Sequence, residues 1–385
     1  MMYRPRWQKV LADLWGNPTR SFLVVASITV GLFAIGVIAN VYLIIAQDMR
    51  TAYSAIEPAN IFIQTSLYNK DMLDTLREIP GVDKVDGVRA VELRVQDRNG
   101  KWKSIDLKAF PDPKELNLNH LHLVSGTWPP KENEIVIDQH KLNEIGADLG
   151  DMVIIERPSG KSRELKLVGI VQDLTVGAFS GGGGFFNASS QGYISRETMG
   201  LLEQPTPDLL SGVYLRVEGA GDDIEEIRMI GAKAADVLET NGIMARSNTS
   251  RLSGDHPNGY LVNAIIGVLL VLGLLVVFLS GFLITNTLQA LLNQQIQQIG
   301  IMKTIGARRI QIAGVYIILI FGFGLIAFAI AQPLSYLVSY GLLRLLAGQL
   351  NFVLQGERVI WPVFLVQAGL ALVMPQLAAW LPIWS

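Results

Sequence analysis

The chain has 385 residues, half of them hydrophobic and only 17% charged, with a mean hydropathy of +0.34. That balance excludes a disordered chain and a nucleic-acid-coating one. The formal net charge is −2 and there is no cysteine, which excludes disulfides, thiolate–metal sites and a cysteine nucleophile. The apolar residues gather in four long runs, as in a membrane protein with one large water-soluble insert.

In residues 1–20, Trp7, Val10, Leu11, Leu14 and Trp15 recur at helical spacing, with Arg6, Lys9 and Asp13 on the other face. The pattern predicts an amphipathic helix lying in the cytoplasmic interface, ended by Asn17-Pro18. Residues 22–46 carry no charge. At ~1.5 Å per residue they are long enough to cross a ~30 Å hydrocarbon core. No small-x-small cleavage site sits cleanly at their end, so residues 21–46 read as a retained first span.

The insert, residues 47–258, opens with a predicted strand at 60–65 and a helix at 71–79 that stops at Pro80-Gly81. An alternating strand follows at 88–97, closed by Asn99-Gly100. Next come a turn at 126–130, a strand at 134–138 and a short helix at 140–145. Strands at 151–156 and 163–171 are joined through the turn residues 158–160. Residues 179–187, with Gly181 to Gly184, predict a mobile loop. A strand at 214–217 precedes a helix at 222–240 carrying Ile224, Ile227, Ile230, Ala234, Val237 and Leu238 on one face. The insert therefore reads as α+β, in two lobes.

The last third, residues 259–385, returns to the membrane. Its spans are predicted at about 264–284, 312–331 and 361–381. Gln332-Pro333 is read as ending the third span, and Pro362 and Pro375 interrupt the fourth. Gln294, Gln295, Gln297 and Gln298 make the second helix polar where it leaves the bilayer, so it runs on into a cytoplasmic loop at 294–310. Charge sets the orientation. Residues 47–258 hold 23 basic and 32 acidic residues, while the rest of the chain holds 9 and 2. The short basic segments, Arg4 to Arg20 and Lys303 to Arg309, face the cytoplasm by the positive-inside rule. Both termini are then cytoplasmic, and the insert and a loop at 344–358 are external.

Candidate chemistry is sparse. Gly160-Lys161-Ser162 resembles the end of a phosphate-binding loop, but Ile155 stands where the first glycine belongs, and a hairpin turn is the better reading. His120-x-His122 is a half-site for zinc with no third ligand in the pattern. No carboxylate pair is singled out by its spacing. The sequence therefore assigns no catalytic residue, no metal site and no cofactor site. The informative stretch is Gln298, Gly300, Lys303, Gly306, Arg308 and Arg309, a short cationic helix between two spans that can seat in a groove of a partner.

The words Gly281-Phe-Leu-Ile-Thr-Asn-Thr-Leu and Gln298-Ile-Gly-Ile-Met-Lys-Thr-Ile-Gly-Ala-Arg-Arg-Ile resemble the FtsX/MacB-type permease family. Asn17-Pro-Thr-Arg, with Thr29-Val-Gly, is similar to the start of that family. Ser125-Gly-Thr-Trp-Pro, Glu134-Ile-Val-Ile and Val168-Gly-Ile-Val are similar to its MacB-like periplasmic core domain. Where the family has an acidic residue before Ile-Gly, this chain has Gln298. The ending at residues 378–384 is similar to the point where larger, ten-span relatives run on, so the resemblance allows half of such a protein or a shortened product.

The resemblance implies a four-helix transmembrane bundle with a large α+β extracytoplasmic domain between spans one and two. It implies the permease subunit of an ABC transporter of the mechanotransmission type, in the cell inner or plasma membrane. The chain itself would be no enzyme and hold no cofactor, with ATP bound by a cytoplasmic ABC ATPase. Its other partners would be a second permease copy or a homologous permease, and membrane lipids, but no nucleic acid. A lipid, lipoprotein, peptide or drug would be the substrate. The alternative is a non-transporting signalling or scaffold protein that regulates a cell-wall hydrolase or a sensor kinase.

Overall fold

The structure, a computed structural model, describes residues 18–177, 190–219, 223–294, 296–304, 306 and 308–384. The interfacial helix expected at 1–20 lies outside these residues except for its last three, and the glycine loop at 179–187 lies wholly outside them. The chain divides into two compact units, one of Met1–Gln47, Leu261–Leu346 and Gln355–Ser385, the other of Asp48–Tyr260 and Ala347–Leu354.

The first unit is built from apolar helices. Helix α1 covers Pro18–Ala55. Proline stands in its first turn, where a missing N–H costs no intrahelical bond. Helix α6 covers Gly259–Gln294, α7 Ile296–Thr304, α8 Arg309–Leu350 and α9 Trp361–Trp384. Among the described residues three helices are long and apolar enough to cross a membrane, Ser21–Ala55, Gly259–Thr287 and Ile310–Leu350, and Trp361–Leu377 is a shorter apolar helix. Their core is a stripe on α8, with Ile312, Val315, Leu319, Phe323, Ala327 and Ala331 at successive turns, packed with Val24, Ile28 and Leu32 of α1.

The third span does not end at Gln332-Pro333 as the sequence suggested. Helix α8 passes through Pro333 and runs on to Leu350. Packing overrides the local break. Ala331, Ser335 and Ser339 on either side of the proline are fully buried, and the Ser335 hydroxyl donates to the Gln332 carbonyl at 2.9 Å. Gln367 of α9 ties the bundle together. Its Nε2 donates to the Leu32 carbonyl at 3.0 Å and to Ser335 Oγ at 3.2 Å. Gly36 makes room for this contact, since a Cβ there would lie 1.9 Å from the Gln367 nitrogen. Small residues at such crossings let polar side chains bridge helices in lipid.

The second unit is α+β. Its strands are β1 (Ile61–Tyr68), β2 (Val82–Gln96), β3 (Trp102–Ala109), β4 (His122–Gly126), β5 (Glu134–Asp138), β6 (Met152–Glu156), β7 (Ser162–Gln172), β8 (Ser190–Ile194), β9 (Leu210–Val217) and β10 (Ala245–Ser250). They follow one hydrogen-bonded path, β10-β1-β9-β2-β3-β8-β5-β7-β4, with β6 paired to β2 and β7. Pairing is antiparallel except for β3 with β8 and β5 with β7. The two lobes expected from sequence are two cores on this single path. The 15-residue β2 joins them. Its first half pairs with β9, and its second half pairs with β3 and β6.

The first core is covered by α2 (Met72–Arg77) and α5 (Ile224–Thr240). Helix α5 buries Ile227, Ile230, Ala234 and Leu238 against Ile61, Ile63, Val213 and Leu215. Asp223 caps it, its carboxylate accepting from the Glu225 amide at 2.9 Å, and Glu225 and Glu226 add negative charge to the first turn. The second core gathers Ile105, Leu107, Ile135, Ile137, Leu165 and Leu167, with α3 (Gln139–Ile145) and α4 (Arg196–Leu201) beside it.

Gly160-Lys161-Ser162 sits where the hairpin reading put it. Gly160 has φ +77° in the turn between β6 and β7, and its amide donates to the Arg157 carbonyl at 2.9 Å. His120 and His122 are exposed, and no group of three metal-ligating side chains forms among the described residues.

Candidate functional site

The cationic stretch singled out by sequence lies in the first unit. Gln298, Gly300 and Lys303 fall in α7, and Gly306, Arg308 and Arg309 lead from α7 into α8. Most of the loop expected at 294–310 is therefore helix. Gly300 lies inside α7, where a Cβ would meet nothing within 4 Å. Gly306 does make the reversal. With φ +94° it donates its amide to the Lys303 carbonyl at 3.0 Å, a left-handed helix cap that a side chain would strain. On the far side, the Arg308 amide donates to Gln311 Oε1 at 3.0 Å, and its carbonyl accepts from the Gln311 amide at 2.9 Å, which starts α8.

Met302 packs against the helix core and seats α7. Lys303 and Arg308 are exposed, and neither forms an ion pair among the described residues. Ile301 and Ile310 beside them are 53% and 79% exposed. The sequence reading missed these two isoleucines, because apolar residues next to a span are ordinarily read as part of it. Lys303 and Ile301 on α7, with Arg308 and Ile310 beyond the turn, make a mixed cationic and apolar surface.

A second cluster, which the sequence reading missed, lies in the second unit. Asn351 is 1% exposed and has φ +53°. Its Nδ2 donates to the carbonyls of Asp173 at 2.7 Å and Val176 at 3.0 Å, and its Oδ1 accepts from Gln172 Nε2 at 3.1 Å. His256 Nδ1 accepts from the Asn258 amide at 3.1 Å, so Nε2 carries the hydrogen and donates to the Asn351 carbonyl at 3.2 Å. Asn258 Nδ2 donates to the Leu350 carbonyl at 2.8 Å, and Tyr53 meets the His256 ring edge-on at 5.1 Å. Two distant stretches, 172–176 and 256–258, thus bond the Leu350–Asn351 stretch, and Tyr53 packs on His256.

Burial pushes the His256 pKa down from 6.5 to about 4, against the helping bond to the Asn351 carbonyl. The folded protein holds this imidazole neutral, and the unfolded chain takes up the proton first as pH falls. The stabilisation is therefore complete above pH 6.5 and is lost as pH falls through about 4, by about 3 kcal/mol in all. Thermal melts at pH 7.5 and 4.5 should show this loss, and His256→Gln should shrink it. Equal acid sensitivity in the two proteins would refute it.

Residues 270–385 match the family of the FtsX-like permease C-terminal domain, which contains all six of the sequence-selected coupling residues. The matched stretch runs from within α6 through α9. A search of curated proteins gave no match. Among solved structures, the chain is similar to the extracellular domain of the noncanonic ABC-type transporter YknZ from Gram-positive bacteria, at 13% identity and a TM-score of 0.33, covering 50% of this chain and 98% of that one. It is also similar to the periplasmic region of MacB from Actinobacillus actinomycetemcomitans, at 13% identity and a TM-score of 0.32, covering 50% and 88%.

Proposed function

We propose that the chain is the permease subunit of an ABC transporter of the mechanotransmission type. The observation that carries this reading is the exposure of Lys303 and Arg308, beside the anchoring Met302, inside the segment that matches the FtsX-like family. ATP binds to a separate cytoplasmic ATPase, and closure of that subunit pushes on α7. Helices α1, α6 and α8 are continuous, so a push at their cytoplasmic ends is transmitted along hydrogen-bonded rods rather than lost in loops. The outer domain then grips or expels a lipid, lipoprotein, peptide or drug. No residue of this chain performs covalent chemistry.

In this reading the domains follow the sequence: an interfacial helix at 1–20, a first span within 21–46, an extracytoplasmic domain at 47–258 and a permease segment at 259–385 with three further spans. Two permeases, identical or homologous, act with two ATPases in the lipid bilayer. Both termini and Lys303–Arg308 face the cytoplasm. The excess of 32 acidic over 23 basic residues in 47–258, against 2 and 9 elsewhere, supports this arrangement. Reporter fusions at Asn99 and Gly306 should report opposite compartments. The same compartment for both would overturn the topology and with it the coupling role.

A further inference from the structure

One pocket of the second unit borders the Asn351 cluster, with which it shares Tyr53 and Val176. It has a volume of about 370 Å³ and lies wholly within the second unit. That is at the lower end of the ~300–1,000 Å³ of small-molecule sites. Its apolar surface is aromatic. Phe62 on β1 and Tyr214 on β9 are register partners whose rings stack at 4.8 Å, and Tyr53 adds a third ring. Its charged lining residues are Lys108 and Arg251, with no carboxylate among them.

Lys108 is the unusual member. It stands next to the end of β3, paired with Ala90 on one side and Tyr193 on the other, where its side chain is only 16% exposed. A buried lysine is costly unless neighbours hold its charge. Here Asp173 Oδ2 lies 3.6 Å from Nζ, and the Tyr193 ring centre lies 5.8 Å away. Burial works against the charge, but Tyr214, Asp173, Asp106 and Asp138 outweigh it and raise the lysine pKa. Asp106 is engaged with Gln191, whose Nε2 donates to it at 2.9 Å. The lysine is therefore a fixed, partly desolvated cation at the wall of an aromatic pocket. Arg251 brings a second cation whose side chain is exposed.

We propose that this pocket binds a small anionic amphiphile, a carboxylate or phosphate monoester on an apolar body, with the head toward Lys108 and Arg251 and the body on Phe62, Tyr214 and Tyr53. Neither cation alone defines the site. The stacked rings supply a sequence-tolerant apolar surface, and the partly dehydrated ammonium selects charge over a neutral head of the same size. The inference does not rest on coupling to an ATPase, so the two readings fail separately.

The test uses the full chain in nanodiscs of phosphatidylcholine, titrated calorimetrically with decyl phosphate, decanoate, decan-1-ol and inorganic phosphate, with empty nanodiscs subtracted. Decyl phosphate and decanoate should bind saturably, one per chain, with decan-1-ol and inorganic phosphate at least tenfold weaker. Arg251→Gln should weaken decyl phosphate about tenfold without moving the thermal melt, because that guanidinium is on the surface. Lys108→Met should remove the preference for the charged over the neutral head. If Lys108→Met does not fold, Arg251→Gln decides alone. No saturable binding, equal binding of decan-1-ol, inorganic phosphate binding as tightly as decyl phosphate, or an unchanged Arg251→Gln would each overturn the assignment.

Discussion

Reversing Lys303 and Arg308 together, as Lys303→Glu with Arg308→Glu, should abolish co-purification of the permease with its ATPase. Both side chains are exposed and lack an ion-pair partner among the described residues, so their loss does not disturb the helix core. In the proposed acidic groove of the ATPase each would become desolvated and paired. Removing one partner of such a pair costs roughly 2–5 kcal/mol, and sign reversal adds repulsion. Two reversals therefore weaken the complex by at least a thousandfold, at about 1.4 kcal/mol per factor of ten. The companion change Lys114→Glu with Lys131→Glu lies in the outer domain and should leave the complex intact. Recovery of the ATPase in equal amounts from both variants would remove the coupling role assigned to α7. A third variant, Ile310→Ser, separates charge from apolar contact. Its side chain is 79% exposed, so weakened recovery with unchanged thermal stability would identify a docking contact rather than a folding one.

The membrane helices and the helix-rich boundary of the outer domain were legible because each leaves a periodic or continuous signal. The uncharged run at 22–46 and the stripe Ile227, Ile230, Ala234, Leu238 are of this kind. What stayed hidden had no such signal. Strand β10, Ala-Arg-Ser-Asn-Thr-Ser, is an edge strand with almost nothing buried, so no alternation marks it. Strand β8 is buried on every residue and too short to separate from a loop. In β3 the alternation is present, but its Ser104, Asp106 and Lys108 face reads as solvent, whereas Lys108 is enclosed. Pro333 carries a local rule that tertiary packing overrides.

The candidate site divides in the same way. Lys303, Gly306 and Arg308 were visible as a charge cluster and a helix stop between two apolar runs. Asn351 was not, because one asparagine at the end of a long helix is an ordinary stop signal. Its function as a hub depends on partners 95 to 179 positions away, a separation that no local pattern reports.

Asn351→Ala should lower the melting temperature of the outer domain by about 10 °C, measured on the full chain. The variant leaves the carbonyls of Asp173 and Val176 and the amide of Gln172 without their buried partner. An unsatisfied buried polar group costs about 1–3 kcal/mol, although water admitted to the vacated space recovers part of it. Alanine also accepts φ +53° less readily than asparagine, whose side chain tolerates the left-handed region. Together these effects come to about 3–5 kcal/mol, against the 5–15 kcal/mol that holds a typical domain. One kcal/mol moves the midpoint of a domain of this size by roughly 2–4 °C. Asn351→Gly separates the two causes. It relieves the backbone strain but restores no hydrogen bond, so it should melt between alanine and the parent, nearer to alanine. Asn99→Ala, in the exposed turn between β2 and β3, should melt within about a degree of the parent. Hydrogen exchange then locates the damage: the amides of residues 172–176 should lose protection in Asn351→Ala while those of β1 and β9 keep theirs. A variant that melts like the parent, or that loosens β1 and β9 equally, would show that the stretches around Asn351 are held by their apolar contacts and that Asn351 only fills the space among them.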